Sequence, residues 1–181
     1  MKSRIIIAIA ALFVFASFAQ AQKTVVDVDK SFDFSKFKTF AWSDGQIAPK
    51  ATTSEMLVAA IERELTMRGL VRNDTAPDIR IAVMAAAGMD LQGVGPTWNN
   101  ERYRFWGGYG NPAALMTVTS GTLLIDLIET KNKYSIWRAV VKDVFVTPPT
   151  GDLEKDLKQM QGLVNKTIPK VFKKYPVRPK N

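Results

Sequence analysis

The alternation of apolar and polar residues along the chain predicts a set of β-strands. Residues 24–29, 38–42 and 78–85 alternate with a period of two, which is typical of strands that bury one face. Residues 121–145 hold two longer apolar runs around the polar break 129–133. Such a pair of runs predicts an antiparallel hairpin, which we place at the middle of the sheet.

The polar break of this hairpin contains Asn132, a residue type that tolerates left-handed backbone angles. In the simplest register, Trp137 shares a sheet face with Leu124 and Ile128. We expect Trp137 to lie buried on that face, against a second layer of the fold.

Apolar residues at helical spacing predict two helices. The first runs from about residue 53 to residue 68. Thr52 and Glu55 form a capping box at its start, because each side chain can accept a hydrogen bond from the other's backbone N–H. Gly69 favours a left-handed cap at its end.

The second predicted helix starts near Leu153 and keeps one apolar face as far as Phe172. Pro169 lies inside it and predicts a kink, since proline lacks the N–H of a helical hydrogen bond. In the first helix, Glu64 and Arg68 lie off the apolar stripe.

These elements predict an α+β fold: a two-layer sandwich with two helices packed on one face of a mainly antiparallel sheet of roughly four to six strands. We divide the chain into a signal peptide at 1–21, a single domain at 22–176 and a basic tail at 177–181. The domain contains a long loop at 88–112.

The N-terminus has the three parts of a secretory signal peptide. Lys2 and Arg4 precede the apolar run 5–18, and residues 19–21 read Ala-Gln-Ala, a small-x-small cleavage signature. We expect a chain that begins at Gln22 and is exported to the periplasm or the soluble cell envelope. No transmembrane segment is expected after cleavage.

The 181-residue chain contains no cysteine and no histidine. These absences exclude disulfides, thiol nucleophiles and thiolate metal sites, and a lipid anchor on cysteine. They also remove the commonest general base and the commonest transition-metal ligand. We therefore predict neither a cofactor nor a metal site.

The loop at 88–112 combines six glycines with aromatic residues, and no helical or strand period survives in it. Long loops of this kind are often functional. We predict ligand or partner contacts by its aromatic side chains, which are Trp98, Tyr103, Phe105, Trp106 and Tyr109. The alternative is that these rings fold back and cover the sheet.

Positive charge is concentrated at the C-terminus. Removal of residues 1–21 lowers the net charge from +8 to +6. The segment from Lys155 to Lys180 contains eight Lys or Arg and a single acidic residue, Asp156. The candidate contacts to an anionic surface are Lys166, Lys170, Lys173 and Lys174. The alternative is a solvated face, and any binding should fall steeply with salt.

Two carboxylates in the hairpin, Asp126 and Asp143, are a candidate acid–base pair. The alternative is that each carboxylate lies on a solvated or edge face, or forms an ion pair with Arg138 or Lys142. Asp27, Asp29 and Asp33 could supply oxygen ligands to a hard cation, but their spacing does not match that of a calcium-binding loop.

Three patches of the sequence resemble an exported bacterial family known as domain of unknown function 4136. They are residues 33–42, residues 61–70 with 77–79, and residues 121–126 with Trp137-Arg138. The resemblance implies a compact α/β domain in the envelope and implies no catalytic residues. Members are often lipoproteins and often carry a glycine in the hairpin turn, and this chain departs from both patterns.

The function that these observations favour is a non-enzymatic binding or scaffolding module of the cell envelope, with an envelope protein or glycan as partner and no specific nucleic acid. Two alternatives stay open. One is a carboxylate-dependent hydrolase centred on Asp126. The other is a polyanion or anionic-surface binder that uses the basic C-terminal helix.

Overall fold

The structure is a computed structural model that describes residues 24–44, 47–48, 50–86, 121–144 and 149–180. The predicted signal peptide and the loop at 88–112 lie outside these ranges.

Six strands of the described chain form one sheet in the order β1-β6-β5-β4-β2-β3. In chain order they are β1 (Thr24–Val28), β2 (Thr39–Trp42), β3 (Val71–Arg72), β4 (Ile79–Ala86), β5 (Thr122–Glu129) and β6 (Ser135–Val141). The pairs among β1, β6, β5 and β4 are antiparallel, whereas β2 runs parallel to both β3 and β4. The prediction of a mainly antiparallel α+β sheet is confirmed.

Two helices, α1 (Ala51–Met67) and α2 (Leu153–Phe172), cover one face of this sheet, which we call the helix face. The opposite face is the back face. A continuous buried cluster joins both helices to the helix face, and its central members are Leu57, Ile61, Leu65, Ile79, Ile81, Leu123, Ile125, Leu127, Trp137, Val164, Ile168 and Phe172. No helix in the described part of the chain is long and apolar enough to cross a membrane.

Helix α1 begins at Ala51 and is preceded by Lys50, which makes no side-chain capping bond. The predicted capping box is therefore wrong, since Thr52 already lies inside the helix. The Ser54 hydroxyl instead accepts the backbone N–H of Ala48 at 3.1 Å. A polar residue one turn inside the helix thus orders the segment before it.

The C-terminal end of α1 follows the prediction. Gly69 has a left-handed backbone, with φ of 87°. The backbone N–H of Leu70 donates to the carbonyl of Leu65 at 3.1 Å, and that of Gly69 to Thr66 at 2.9 Å. This arrangement is a Schellman cap, and it turns the chain directly into β3.

The β5–β6 hairpin is confirmed, and Trp137 is buried against the helices as predicted, but the predicted turn residue and strand register are wrong. Lys133, not Asn132, has the left-handed backbone, with φ of 63°. Trp137 lies opposite Leu127, so it shares the helix face with the odd-numbered residues of β5 and not with Leu124 and Ile128. Both faces of β5 are buried and mostly apolar, and a strand without clear alternation does not reveal its register.

Helix α2 is continuous through Pro169, and the Asp152 carboxylate caps its start by accepting the N–H groups of Glu154 and Lys155. Its apolar face is fully buried only from Val164 onward, whereas Leu157 and Met160 are half-buried and Leu153 at the other end is 73% exposed. The predicted stripe is therefore core in its C-terminal half.

Candidate functional site

Asp126 occupies the centre of the back face of β5 and is fully buried. Arg138 lies opposite it on β6, and Nη2 of Arg138 donates to Oδ2 of Asp126 at 2.7 Å. The hydroxyl of Ser135 donates a short hydrogen bond to Oδ1. Both carboxylate oxygens therefore have a partner from the neighbouring strand.

Burial raises the pKa of Asp126, while the guanidinium of Arg138 and the hydroxyl of Ser135 act against that rise. A buried carboxylate needs such partners, because an isolated ion inside a protein is strongly unfavourable. The alternative that Asp126 pairs with Arg138 is thus the arrangement seen.

Asp143 does not join Asp126. It is exposed, has a left-handed backbone with φ of 60°, and follows the end of β6 at Val141. Asp126 pairs in mid-strand, so the proposed pair of catalytic carboxylates is not brought together.

A small cleft lies beside this ion pair, at the edge between β1 and β6. Its lining includes Asp27, Asp29, Ser135 and Arg138. Asp27 stands opposite Arg138 in the strand register. Asp27 of β1, and Asp29 just after the strand, thus line the cleft beside the buried pair.

The other aspartates near β1 serve local turns. The carboxylate of Asp29 accepts the N–H and hydroxyl of Ser31 at 2.9 and 2.7 Å. That of Asp33 accepts the N–H and hydroxyl of Ser35, and these bonds lower its pKa. Among the described residues, no group of three or more metal-ligating side chains is arranged to hold an ion.

Four lysines of the basic segment lie on or just after α2. Lys166, Lys170, Lys173 and Lys174 are all exposed. Spacings of four and three residues place the first three on one side of the helix. Lys174 turns toward β1, and its ammonium group donates to the carbonyl of Thr24 at 3.5 Å.

The aromatic candidates lie outside the described residues. Trp98, Tyr103, Phe105, Trp106 and Tyr109 belong to the segment 87–120. Their role as ligand or partner contacts stays a prediction.

The sequence analysis missed a second buried ion pair, at the C-terminal end of α1. Nη1 of Arg68 donates to Oε2 of Glu64 at 2.7 Å, and both side chains are buried. Nη2 of Arg68 donates to the carbonyl of Phe172 at 2.9 Å. The i,i+4 spacing of the two charges is a signal for the pair, although it gives no sign of burial.

This pair ties the two helices together at one end of the molecule. The guanidinium carbon of Arg68 lies 5.5 Å from the ring centre of Phe172 and 6.0 Å from that of Tyr175. Burial raises the pKa of Tyr175 to about 12. The cluster is enclosed and structural, with no opening to a substrate: Glu64, Arg68 and Tyr175 are each at most 5% exposed.

Comparison with known proteins places this fold. The family model described as Domain of unknown function (DUF4136) matches residues 24–177. No curated protein matches the chain. A DUF4136 family protein from Bacteroides thetaiotaomicron VPI-5482 has a similar structure, with a TM-score of 0.57 and 16% identity, over 86% of this chain and 96% of that chain.

A PDZ domain protein from Parabacteroides distasonis ATCC 8503 is also similar, with a TM-score of 0.52 and 21% identity. The similarity covers 88% of this chain and 36% of that chain, so there the fold forms part of a longer protein. At these identities the two structures show a shared fold. The family match spans all six strands and both helices, and the chain belongs to the DUF4136 family of domains of unknown function.

Proposed function

We propose that this protein is a non-enzymatic binding or scaffolding module of the cell envelope. The observation that carries the proposal is the state of Asp126. A general acid or base must come within about 3 Å of a substrate atom or of a bridging water. Asp126 is 0% exposed, and its two oxygens accept hydrogen bonds, Oδ1 from Ser135 and Oδ2 from Arg138.

A hydrolysis assay tests the non-enzymatic part of the proposal. The protein is incubated with ester, glycoside and phosphate substrates that release a chromophore, beside the variants Asp126→Asn and Asp143→Asn. We expect no turnover above the buffer rate for any of the three. Turnover that Asp126→Asn abolishes and Asp143→Asn retains, in proteins with unchanged circular dichroism, would contradict it.

The proposed envelope location rests on the signal peptide predicted from the sequence of residues 1–21. We expect the intact mass of the protein from the soluble envelope fraction to correspond to a chain that begins at Gln22. A matched variant, Ala21→Leu, places a large residue where the signature needs a small one and should retain the N-terminal segment. Recovery of the native protein from the cytoplasm with Met1 in place would refute the location.

Recognition by the aromatic loop is part of the same proposal. Exposing aromatic rings costs roughly 25 cal/mol per Å² of apolar surface, so five rings in one loop are expected either to meet a partner or to cover the sheet, and we propose the partner. Replacing residues 88–112 by a Gly/Ser linker should leave the free energy of unfolding nearly unchanged while association with envelope extracts is lost. Unfolding of the variant would show that the rings complete the core.

A further inference from the structure

The exposed side of α2 carries three lysines in a row, and we call Lys166, Lys170 and Lys173 the basic face. The opposite side of the helix packs Val164 and Ile168 into the core. The orientation of α2 is therefore fixed, and the basic face points away from the protein. Over the seven steps from Lys166 to Lys173 the helix rises by about 10 Å.

No carboxylate among the described residues lies within 4.0 Å of these three ammonium groups. The first turn of α2 is different. Lys155 lies close to the same line along the helix, but its ammonium group pairs with Asp152 at 3.1 Å. Along this line of the helix the uncompensated charge thus lies in the C-terminal half, while Lys158, which also has no carboxylate within 4.0 Å among the described residues, lies to one side of the line.

The arrangement disfavours the isolated helix. Lys166 and Lys170 are four residues apart and Lys173 follows three residues later, and like charges at these spacings repel. The negative end of the helix dipole offsets this for Lys170 and Lys173, but its effect falls off beyond the last turn and does not reach Lys166. An external anionic surface would remove the repulsion along the whole face.

Positive charge is concentrated toward the C-terminal end of the chain. After Asp156 the sequence contains seven Lys or Arg and no Asp or Glu, whereas all 17 acidic residues come earlier. The three lysines lie within about a Debye length of one another, so they attract an extended anionic surface together and not only a single ion.

We propose that the basic face binds the surface of an anionic lipid bilayer. A bilayer fits better than a nucleic acid for two reasons. The face is one side of a single helix and not a groove, and the rings at this end of α2, Phe172 and Tyr175, are buried and unavailable for stacking on bases. Binding to anionic lipid headgroups requires only positive charge on the protein surface.

This inference rests on the proposed envelope location, where such a surface is present, and it names the partner class of the module. Binding is reversible and is driven by charge. No side chain of the basic face enters the hydrocarbon, so the affinity depends on the fraction of anionic lipid and on the salt concentration.

The test compares three forms of the protein purified from expressing cells. They are the native chain, Lys166→Gln/Lys170→Gln/Lys173→Gln, and the matched control Lys30→Gln/Lys131→Gln/Lys142→Gln. All six lysines are exposed, and both variants lose three charges. Any contribution of residues 1–23 is common to all three forms. Partitioning onto vesicles is measured by co-sedimentation.

With one part phosphatidylglycerol to three parts phosphatidylcholine at low salt, the basic-face variant should bind on the order of a hundredfold more weakly than the native chain. The control should lose much less, vesicles of phosphatidylcholine alone should bind none of the forms, and salt should release the native chain. Equal losses in the two variants would overturn the proposal. So would binding to heparin or to single-stranded DNA without binding to the anionic vesicles. Either failure leaves the non-enzymatic assignment untouched, because that assignment depends on Asp126 and on the hydrolysis assay.

Discussion

Trp137 joins the centre of the sheet to the end of α2. Its ring lies 5.2 Å from that of Phe172 and 6.1 Å from that of Tyr175, and the side chain is 1% exposed. Trp137→Ala should lower the free energy of unfolding by about 3–5 kcal/mol, because it leaves a large cavity. Denaturant titration measures the change.

The matched control for this substitution is Tyr134→Ala in the hairpin, where the aromatic side chain is 53% exposed. It should change the stability by less than about 1 kcal/mol. A loss of that small size for Trp137→Ala itself would show that the ring is not a core residue.

The buried charges show what sequence patterns miss at the residue scale. Glu64 and Arg68 lie off the apolar stripe of α1, yet both are buried. Besides pairing with Glu64, Arg68 donates to the carbonyl of Phe172 in α2, which is 104 residues away in sequence. Helical periodicity describes one helix at a time and contains no information about a second helix that covers its polar side.

At the scale of single elements, two glycines make a matched test of helix geometry. Gly69 ends α1 with φ of 87°, and a Cβ there would lie 2.6 Å from the Lys180 ammonium nitrogen. Gly162 lies inside α2, and a Cβ there would meet nothing within 4 Å.

Gly69→Ala should therefore destabilise the fold by roughly 1–2 kcal/mol, since an L-residue resists the left-handed region. Gly162→Ala should stabilise it by about 0.5–1 kcal/mol through helix propensity. Thermal unfolding of both variants gives the signs, and two changes of the same sign would refute the assigned backbone geometry.

The carboxylate of Asp78 joins the loop before β4 to the start of β2. It accepts the backbone N–H groups of Lys38 and Thr39 at 2.7 and 2.9 Å. Partial burial raises the pKa of Asp78, but these hydrogen bonds outweigh it and hold the pKa below the ordinary 3.8. The lowered pKa makes this contribution to stability pH-dependent.

Asp78→Asn should cost about 1 kcal/mol at neutral pH, because charge-assisted hydrogen bonds become ordinary ones. A lowered pKa stabilises the fold above pH 3.8, and this contribution is lost as the pH falls through the folded-state value. The gap between native and variant should accordingly close in acid. Stability measured between pH 7 and pH 2 checks this, with the exposed change Asp44→Asn as control; a gap that stays constant would disprove the linkage.

The elements themselves could be predicted from local patterns to within a few residues, and their pairing could not. The helix at 51–67 and the hairpin strands follow from periodicity and turn chemistry. β3 was missed because two exposed residues, Val71 and Arg72, form no pattern, and their strand exists only through pairing with β2. The parallel direction of β2 is likewise decided by where α1 crosses the sheet.

At the scale of the molecule, the residues that carried the family resemblance prove to be structural contacts. Asp33 caps a short 3-10 turn, Asp78 holds β2, and Gly69 ends α1. On the two faces of β6, Trp137 packs into the core and Arg138 pairs with Asp126. Such residues specify a fold and not a reaction, and the site of recognition could not be read from them.

The candidate sites divide into buried and exposed side chains. Among the sets of side chains named from the sequence, those around Asp126 and those on α2 fall on described elements, and the structure separates them. Asp126 is internal, and the lysines of the basic face are external. Burial depends on the complete sheet and could not follow from the sequence of β5 alone.

The central claim is that Asp126 belongs to the framework of the fold and not to an active site. A double-mutant cycle tests it, with Arg138→Met, Asp126→Leu and both changes together, each followed by denaturant unfolding at pH 7. Removing the guanidinium leaves a buried carboxylate without its cation, and its pKa rises further. For a raised pKa the stability is complete below the unfolded value of 3.8 and declines as the pH rises through the folded value. The loss in Arg138→Met should thus be larger at pH 7 than at pH 4.

The decisive measurement is the free energy of unfolding of Arg138→Met at pH 7. A framework ion pair predicts a loss of about 3–5 kcal/mol, most of which the double variant recovers, since two apolar side chains leave no buried charge. An Arg138→Met protein as stable as the native one would contradict the account, because Asp126 would then be free of any structural role.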